Sequence, residues 1–368
     1  MSKEKPHVAI VINDFTVGGA QKLIVDQLRH FDDRCTYSLV TLFSFPEKSD
    51  FYSDIPEGIS LYTLSFRNFF DLKSWMQLLK LFREIRPDVV ISHLFFANTV
   101  TRVLRILCGY ACIAVEHNTY IHKTGLQVFV DTVLSFVTFR IVAVSETVAT
   151  FTAKQEHISP KKFVVIHNGI DIKKIQEQAV VLPEKEVLKK GLGFTDEEKV
   201  IVNVGRLTPQ KNQLLLLDGF ADFVKKHPEY RLVILGEGGY RSKLEKRIAD
   251  LDLSEVVSLP GYKDPIPYYV AGDFLALTSE IEGFAIVGIE AMACGMPMVS
   301  TKTAGPDEYL REGENGFFIR ENKVSEAFEK MVGVGDSFSI ACRDTATAFD
   351  IRTNAEKHTE LFLETTRK

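Results

Sequence analysis

Short apolar runs of strand length recur through the first part of the chain, at residues 7–13, 37–43, 88–92, 112–116, 141–145 and 163–167. Between them, apolar positions recur with the 3.6-residue period of amphipathic helices at 20–30, 72–86, 97–107 and 146–155. Alternation of the two periods predicts a mostly parallel sheet with helices on both faces. At His167-Asn168-Gly169-Ile170-Asp171 the pattern breaks, and residues 173–193 are rich in Lys and Glu with no strand period, which places an interdomain linker there. A second series then starts, with strand-like runs at 199–204, 231–235, 256–259, 273–277 and 298–300. The chain thus reads as one doubly wound α/β domain repeated. The expected division is residues 1–170, residues 171–345, and a C-terminal helix at 346–368 that packs back towards the first domain.

Length and composition agree with two domains. A chain of 368 residues is too long for one ordinary core. With 45% hydrophobic and 25% charged residues it is globular, neither disordered nor fibrous. The net charge of -5 is uneven: residues 1–168 hold 18 Lys+Arg against 16 Asp+Glu, and the remainder 26 against 33. The first half is the one suited to anionic surfaces, but the bias is far too mild for a nucleic-acid binder. The opening MSKEKPHVAIVIND has no apolar core and no small-residue cleavage site, so a cytoplasmic protein is expected. The most apolar long stretch, 126–139, is too short to span a bilayer and contains Asp131, which predicts a buried or interfacial helix. Five cysteines without zinc-ligand spacing read as buried thiols in a reducing compartment.

Ligands of open α/β sheets bind beyond the carboxyl ends of the strands, so the loops there are searched for chemistry. After the run ending at Val204 comes Gly205-Arg206-Leu207-Thr208-Pro209-Gln210-Lys211-Asn212. Arg206 and Lys211 beside a helix start can neutralise a diphosphate, and can equally be two solvated surface cations. Gly236-Glu237-Gly238-Gly239 is a turn open to a phosphate, though such turns more often use glycine for geometry alone. The strongest constellation runs from Ser279 to Gly295. Glu282 lies at a strand mouth, and Glu290 follows eight residues later in an otherwise apolar helix beginning near Gly283. Burying Glu290 among Ile289, Ala291 and Met292 demands hydrogen-bond donors, which the two hydroxyls of a ribose supply. Glu282 can accept from the hydroxyls of a sugar. A plainer reading makes Glu282 a helix N-terminal charge and Glu290 a surface residue. In the first series Gly18-Gly19 precedes a helix, without the spacing of a dinucleotide fingerprint or a Walker loop. His117 and, less so, His93 follow strand-like runs and are ligand-facing or structural histidines.

Together these pieces resemble glycosyltransferase family four, the retaining group with the GT-B fold. The matching segments span nearly the whole chain: Gly18-Gly19, Val144-Ser145, Asn168-Gly169-Ile170-Asp171, Val204-Gly205-Arg206-Leu207 with Lys211-Asn212, Gly236-Glu237-Gly238, Pro260-Gly261-Tyr262, and Glu282-Gly283-Phe284 through Glu290-Ala291-Met292-Ala293-Cys294-Gly295. The resemblance implies two Rossmann-like domains facing each other across a cleft, and transfer of a sugar from a UDP- or GDP-sugar to a saccharide or lipid-linked saccharide in surface-polysaccharide assembly. It implies that Arg206 and Lys211 hold the diphosphate, Glu290 the ribose, and Glu282 with Gly283, Phe284 and Ala285 the donor sugar. Gly18, Gly19 and Gly205 would approach the donor, the base would pack near Tyr262, and His117 would support the reacting sugar. Cationic side chains then replace a metal, and no Asp-x-Asp motif is required. The chain departs from the family at Gln21, where many relatives carry an acid, and at Ala285-Ile286-Val287, where a small residue followed by leucine or proline is usual.

A GT-B phosphorylase or synthase, or a silent nucleotide-sugar-binding subunit, would share most of these donor residues. The acceptor depends on the first domain. Arg67-Asn68-Phe69-Phe70, Trp75, Arg102 and Arg105 offer a peripheral contact with the inner face of the cytoplasmic membrane, unless the aromatic residues are packing residues.

Overall fold

The structure is a computed structural model and describes residues 5–16, 18–44 and 51–366. Residues 1–4 of the segment read as lacking an export signal, and the last two of the C-terminal helical stretch, lie outside them. The chain divides into two compact units, residues 1–169 with 351–368, and residues 170–350.

Unit 1 begins with β1 (His7–Ile12), α1 (Gly19–His30), β2 (Thr36–Thr41), β3 (Ser60–Thr63) and α2 (Leu72–Ile85). It continues with β4 (Val89–His93), α3 (Phe95–Cys108), β5 (Ala111–Glu116), α4 (Gly125–Ser135), β6 (Arg140–Ala143), α5 (Glu146–Gln155) and β7 (Phe163–Val165). The strands form one parallel sheet in the order β3-β2-β1-β4-β5-β6-β7. Val8 to Ile12 are each at most 1% exposed, which is why β1 reads as a continuous apolar run rather than an alternating one. Strand order reverses between β1 and β4, whose last residues Ile12 and His93 lie in register. α2 and α3 pack on the same sheet face, where Leu78, Phe82, Ala97, Val100 and Leu104 meet Val11, Val40 and Val90. The sequence pattern does not show β3, because this edge strand pairs only with β2 and exposes Ser60, Leu61 and Thr63.

Charge is buried between the helices of this layer. Arg102 of α3 meets Asp131 of α4 at 2.5 Å, and Lys123 meets Asp131 at 2.8 Å and pairs with Glu156, all four side chains being at most 5% exposed. Arg102 is therefore not the surface cation expected from sequence: unpaired burial of Asp131 would be prohibitive, and the guanidinium answers it.

Unit 2 opens with α6 (Ile172–Val180), α7 (Lys185–Gly191), β8 (Lys199–Val204), α8 (Gln213–Val224), β9 (Tyr230–Leu235), α9 (Arg241–Asp250) and β10 (Val257–Gly261). It ends with α10 (Ile266–Ala271), β11 (Phe274–Leu277), α11 (Ile286–Ala293), β12 (Met298–Thr301), α12 (Pro306–Tyr309), β13 (Gly316–Ile319), α13 (Val324–Glu329) and α14 (Asp336–Thr347). The parallel sheet runs β10-β9-β8-β11-β12-β13, reversing between β8 and β11. Phe223, Phe274 and Phe328 meet edge to face at its core, with Phe223–Phe328 centroids 5.4 Å and Phe274–Phe328 centroids 5.2 Å apart. The segment expected to be a linker is instead α6 and α7. Ile172, Ile175 and Leu188 bury on the unit, and the buried Lys189 ammonium donates to the Glu198 carbonyl at 2.6 Å. Few apolar contacts suffice to dock helices this short, so a Lys- and Glu-rich composition conceals them.

After residue 350 the chain rejoins unit 1 as α15 (Ile351–Thr366). Its Asn354 accepts from Gln27 of α1 at 2.8 Å and donates to the His167 carbonyl at 2.6 Å, and Phe362 packs edge-on to Phe31.

Burial pushes the Glu156 carboxyl from 4.5 up to about 7. Between these values the folded unit holds a proton that the unfolded chain releases, so the group's stabilising contribution is full below pH 4.5 and is lost as pH rises through about 7. Urea unfolding followed across that range should show a decline that Glu156→Gln flattens.

Candidate functional site

In unit 2 the loops after β8 and β11 meet at the reversal of strand order, the position where doubly wound sheets take ligands. Backbone and side chain fasten them together. The Glu280 amide donates to the Gln210 carbonyl at 2.9 Å, the Gln210 amide side chain to the Ile281 carbonyl at 2.8 Å, and the Thr278 hydroxyl to the Asn212 carbonyl at 2.9 Å. This brings Lys211 and Glu282 into a direct ion pair, although they are 71 positions apart. The Ser279 hydroxyl donates to the same carboxylate oxygen at 2.7 Å. Glu282 is thus a buried, doubly bonded carboxylate, not an exposed helix-end charge. Arg206 is exposed at the head of the β8 loop, and among the described residues its guanidinium has no carboxylate partner.

Packing explains the second glycine turn. Gly236 has φ 140°, and a Cβ there would stand 2.0 Å from the Gly205 carbonyl oxygen. The Leu207 amide donates to the Glu237 carbonyl at 2.9 Å. The Gly236–Gly238 segment therefore supports the Arg206 loop backbone to backbone, the geometric role that such turns commonly have.

α11 starts at Ile286, three residues later than the sequence suggests, because Ala285 adopts the left-handed conformation at φ 55°. The buried Tyr309 hydroxyl donates to the Ala285 carbonyl at 3.0 Å and holds this strained turn. Gly283, Phe284 and Ala285 are buried, and at the start of α11 the Gly288 amide donates to the Ala285 carbonyl at 2.9 Å. Glu290 is 3% exposed on α11, which removes the surface reading for it. It stands near the buried Tyr269, whose phenol burial holds well above its ordinary pKa with the Glu290 charge adding to the shift. Tyr262, at the end of β10, is 66% exposed.

Gly18, Gly19 and His117 lie in unit 1, on the carboxyl edge of its own sheet. Gly18 caps α1 in extended conformation, and Gly19 has open space where a Cβ would stand. Gln21, the departure from the family pattern, is buried and donates to the Asp14 carbonyl at 3.3 Å. His117 is half-buried, and its Nε2 lies 2.9 Å from Nδ1 of the fully buried His93. Burial pushes His117 down to about 4 and His93 well below the ordinary value, so both rings are neutral at pH 7 and share one proton between the facing nitrogens. His93 Nε2 has no partner among the described residues. An orphaned acceptor costs less than an orphaned buried N–H, so His93 Nδ1–H donates and His117 carries its proton on Nδ1.

Sequence reasoning placed Ser279 and Gln210 inside its candidate segments but gave no role to either, although they orient and fasten the site, and it ranked His93 below the ring it orients. A Thr278-Ser279 pair ending the fully apolar β11 was the available signal. Among the described residues no cluster of three or more His, Cys, Asp and Glu side chains could hold a metal ion. None of their helices is long and apolar enough to cross a membrane.

Two doubly wound parallel units, with a cation and carboxylate pair at the switch point of the second, define a GT-B glycosyltransferase that uses a nucleotide-sugar donor. Residues 17–174 match the family described as Glycosyltransferase Family 4, and residues 184–332 match Glycosyl transferases group 1. The chain belongs to this glycosyltransferase family. It is 25% identical over 311 residues to the UDP-Gal:alpha-D-GlcNAc-diphosphoundecaprenol alpha-1,3-galactosyltransferase of Escherichia coli, covering 80% of each chain. It is 34% identical over 201 residues to the N-acetylgalactosamine-N,N'-diacetylbacillosaminyl-diphospho-undecaprenol 4-alpha-N-acetylgalactosaminyltransferase of Campylobacter jejuni, covering 52% of this chain and 51% of that one. Anabaena HepE, solved in complex with UDP and glucose, shares the fold with a TM-score of 0.84 at 21% identity, over 98% of this chain and 100% of that one.

Lys211→Ala leaves the Glu282 carboxylate buried without its cation and should lower stability by about 1–3 kcal/mol in chemical denaturation, with Glu282→Gln added to it recovering part of the loss. In long-range proton–nitrogen NMR spectra His117 should appear protonated on Nδ1. An Nε2-protonated ring would contradict the tautomer.

Proposed function

We propose that the protein transfers a sugar, with retention and without a metal, from a UDP-sugar to a lipid-linked saccharide at the inner face of the cytoplasmic membrane. The observation that carries this reading is the Lys211–Glu282 pair at the switch point of unit 2, with the exposed Arg206, whose guanidinium has no carboxylate partner among the described residues, in the same loop as Lys211. Lys211 is 20% exposed at its side chain, so a diphosphate oxygen can reach the ammonium and take over part of its pairing. Arg206 supplies a second cation to the same group. Glu290 accepts from the ribose hydroxyls, Tyr262 offers its exposed ring to the base, and Glu282 with the amides following Gly283 holds the donor sugar. As the bond from the sugar carbon to the diphosphate oxygen breaks, Arg206 and Lys211 stabilise the charge that develops on the diphosphate. The acceptor oxygen bonds to the same carbon from the same side and gives its proton to the departing diphosphate. His117, protonated on Nδ1, serves as a hydrogen-bond donor to the reacting sugar rather than as a base. The undecaprenol-linked acceptors and alpha linkages in the names of both bacterial relatives support the acceptor class and retention, and UDP in one of those names and in the HepE complex supports the donor.

Calorimetry of UDP, GDP, ADP and their sugar conjugates in chelator tests the reading. UDP should bind, and Arg206→Ala and Glu290→Ala should each weaken it roughly 10- to 100-fold, the cost of a charged hydrogen bond. Glu282→Ala should lower turnover more than donor affinity. Binding that requires a divalent cation would overturn the metal-free part, and no nucleotide binding would overturn the site.

A further inference from the structure

α4 of unit 1 is built inside out, and α3 beside it carries an apolar outer edge. α4 carries a single charged residue, Asp131, and it is fully buried, while Leu126, Phe129 and Val133, with Phe136 just beyond, are 72, 64, 48 and 81% exposed. Steps of three, four and three residues set these four on one helical face. α3 buries Asn98, Thr101 and Arg102 as well as its core residues Ala97, Val100 and Leu104, and it too exposes large apolar side chains, Val103, Ile106 and Leu107, where α4 exposes Leu126 and Phe129. A surface helix of a globular protein does the reverse. The inward polar groups are satisfied, since Arg102 pairs with Asp131 and Asn98 donates to Glu116 at 3.3 Å, so the arrangement is stable from within. What it leaves outside is a concentration of large apolar side chains on two packed helices, of the kind that marks an interaction site.

Charge indicates the partner. α2, the next helix of the same layer, exposes Leu72 and Met76, and Phe70 before it is 89% exposed. Arg67, Lys73, Lys80 and Arg83 are exposed around these apolar residues, and Glu84 is the only exposed carboxylate on α2. Neither α3 nor α4 exposes a carboxylate. Large apolar side chains edged by cations suit the headgroup boundary of an anionic bilayer, where rings and aliphatic chains enter and the cations meet phosphates. A second copy would set the same cations against each other. The surface differs from the one suggested by sequence. Arg102 is buried, the Trp75 indole donates to the Phe69 carbonyl at 2.8 Å, and Phe69 packs on Phe96 with centroids 4.1 Å apart, so Arg67, Asn68 and Phe70 are the members of that set that remain fully outside.

We propose that the outer face of α2, α3 and α4 docks on an anionic lipid bilayer. The choice of a bilayer rests on the lipid-linked acceptor reading, since such an acceptor is anchored in one. Flotation of the full chain with phosphatidylcholine vesicles, and with phosphatidylcholine–phosphatidylglycerol vesicles, tests it. The wild type should float with the anionic vesicles at low salt and release as salt rises. Phe129→Ser with Phe136→Ser should abolish flotation, and Lys73→Glu with Lys80→Glu should lower it roughly tenfold or more. Both pairs are exposed, so circular dichroism and UDP binding should match the wild type. Failure of the wild type to float, or flotation unchanged in both variants, overturns the proposal. So does a wild-type dimer that the Phe129 and Phe136 substitutions dissociate, since the face would then belong to a second copy. Absence of UDP binding in a wild type that floats would instead remove the transferase reading and leave the docking surface standing.

Discussion

A parallel sheet covered by helices on both faces has no room for polar chemistry except at its edges, and this constraint shapes both units. β11 is buried along its whole length and β1 from Val8 onward, so polar side chains that must meet a ligand are confined to the loops where strands end. In doubly wound sheets the reversal of strand order is where a ligand crevice forms. In unit 2 the loops after β8 and β11 flank it, tied to each other by Gln210, Thr278 and Glu280. The Lys211–Glu282 pair is a product of that tie, because neither residue could hold the other unless both loops were fixed.

Buried charge recurs in both units with different consequences. Glu282 is held by a lysine and a serine at the mouth of the sheet, where Lys211 stays reachable from solvent. Asp131 is held by Arg102 and Lys123 behind the helix layer, with side chains almost closed to solvent. Removing one partner from either cluster leaves an uncompensated ion, but the lysine of the first is the more open to solvent, 20% exposed against 5%. The second fixes α4 with Leu126, Phe129 and Val133 outward, beside the exposed Val103, Ile106 and Leu107 of α3. A polar interior thereby sets the chemistry of the exterior.

Much of the fold was legible because a doubly wound sheet writes itself as apolar runs separated by helical periods. The elements that escaped were those with little to bury: the edge strand β3, the short strand β13, and the docked helices α6 and α7. Among candidate residues, Glu290 in an apolar helix was legible because a carboxylate there demands a reason. Ser279, Gln210 and the His93–His117 contact were not, since each matters only through a partner far away in sequence.

The sequence by itself determined the two parallel α/β units, the loops that carry Arg206, Lys211 and Glu282, the apolar helix that carries Glu290, and the resemblance that the family matches then established. Periodicity and local composition suffice for those, because burial on both sheet faces leaves its mark residue by residue. Tertiary structure alone decided that Lys211 pairs with Glu282, that His93 sets the proton of His117, and that Arg102 turns inward while Phe129 and Phe136 face out. Those outcomes depend on which groups meet across the fold, and a charge or a ring finds its environment only when the distant segment that supplies it is in place.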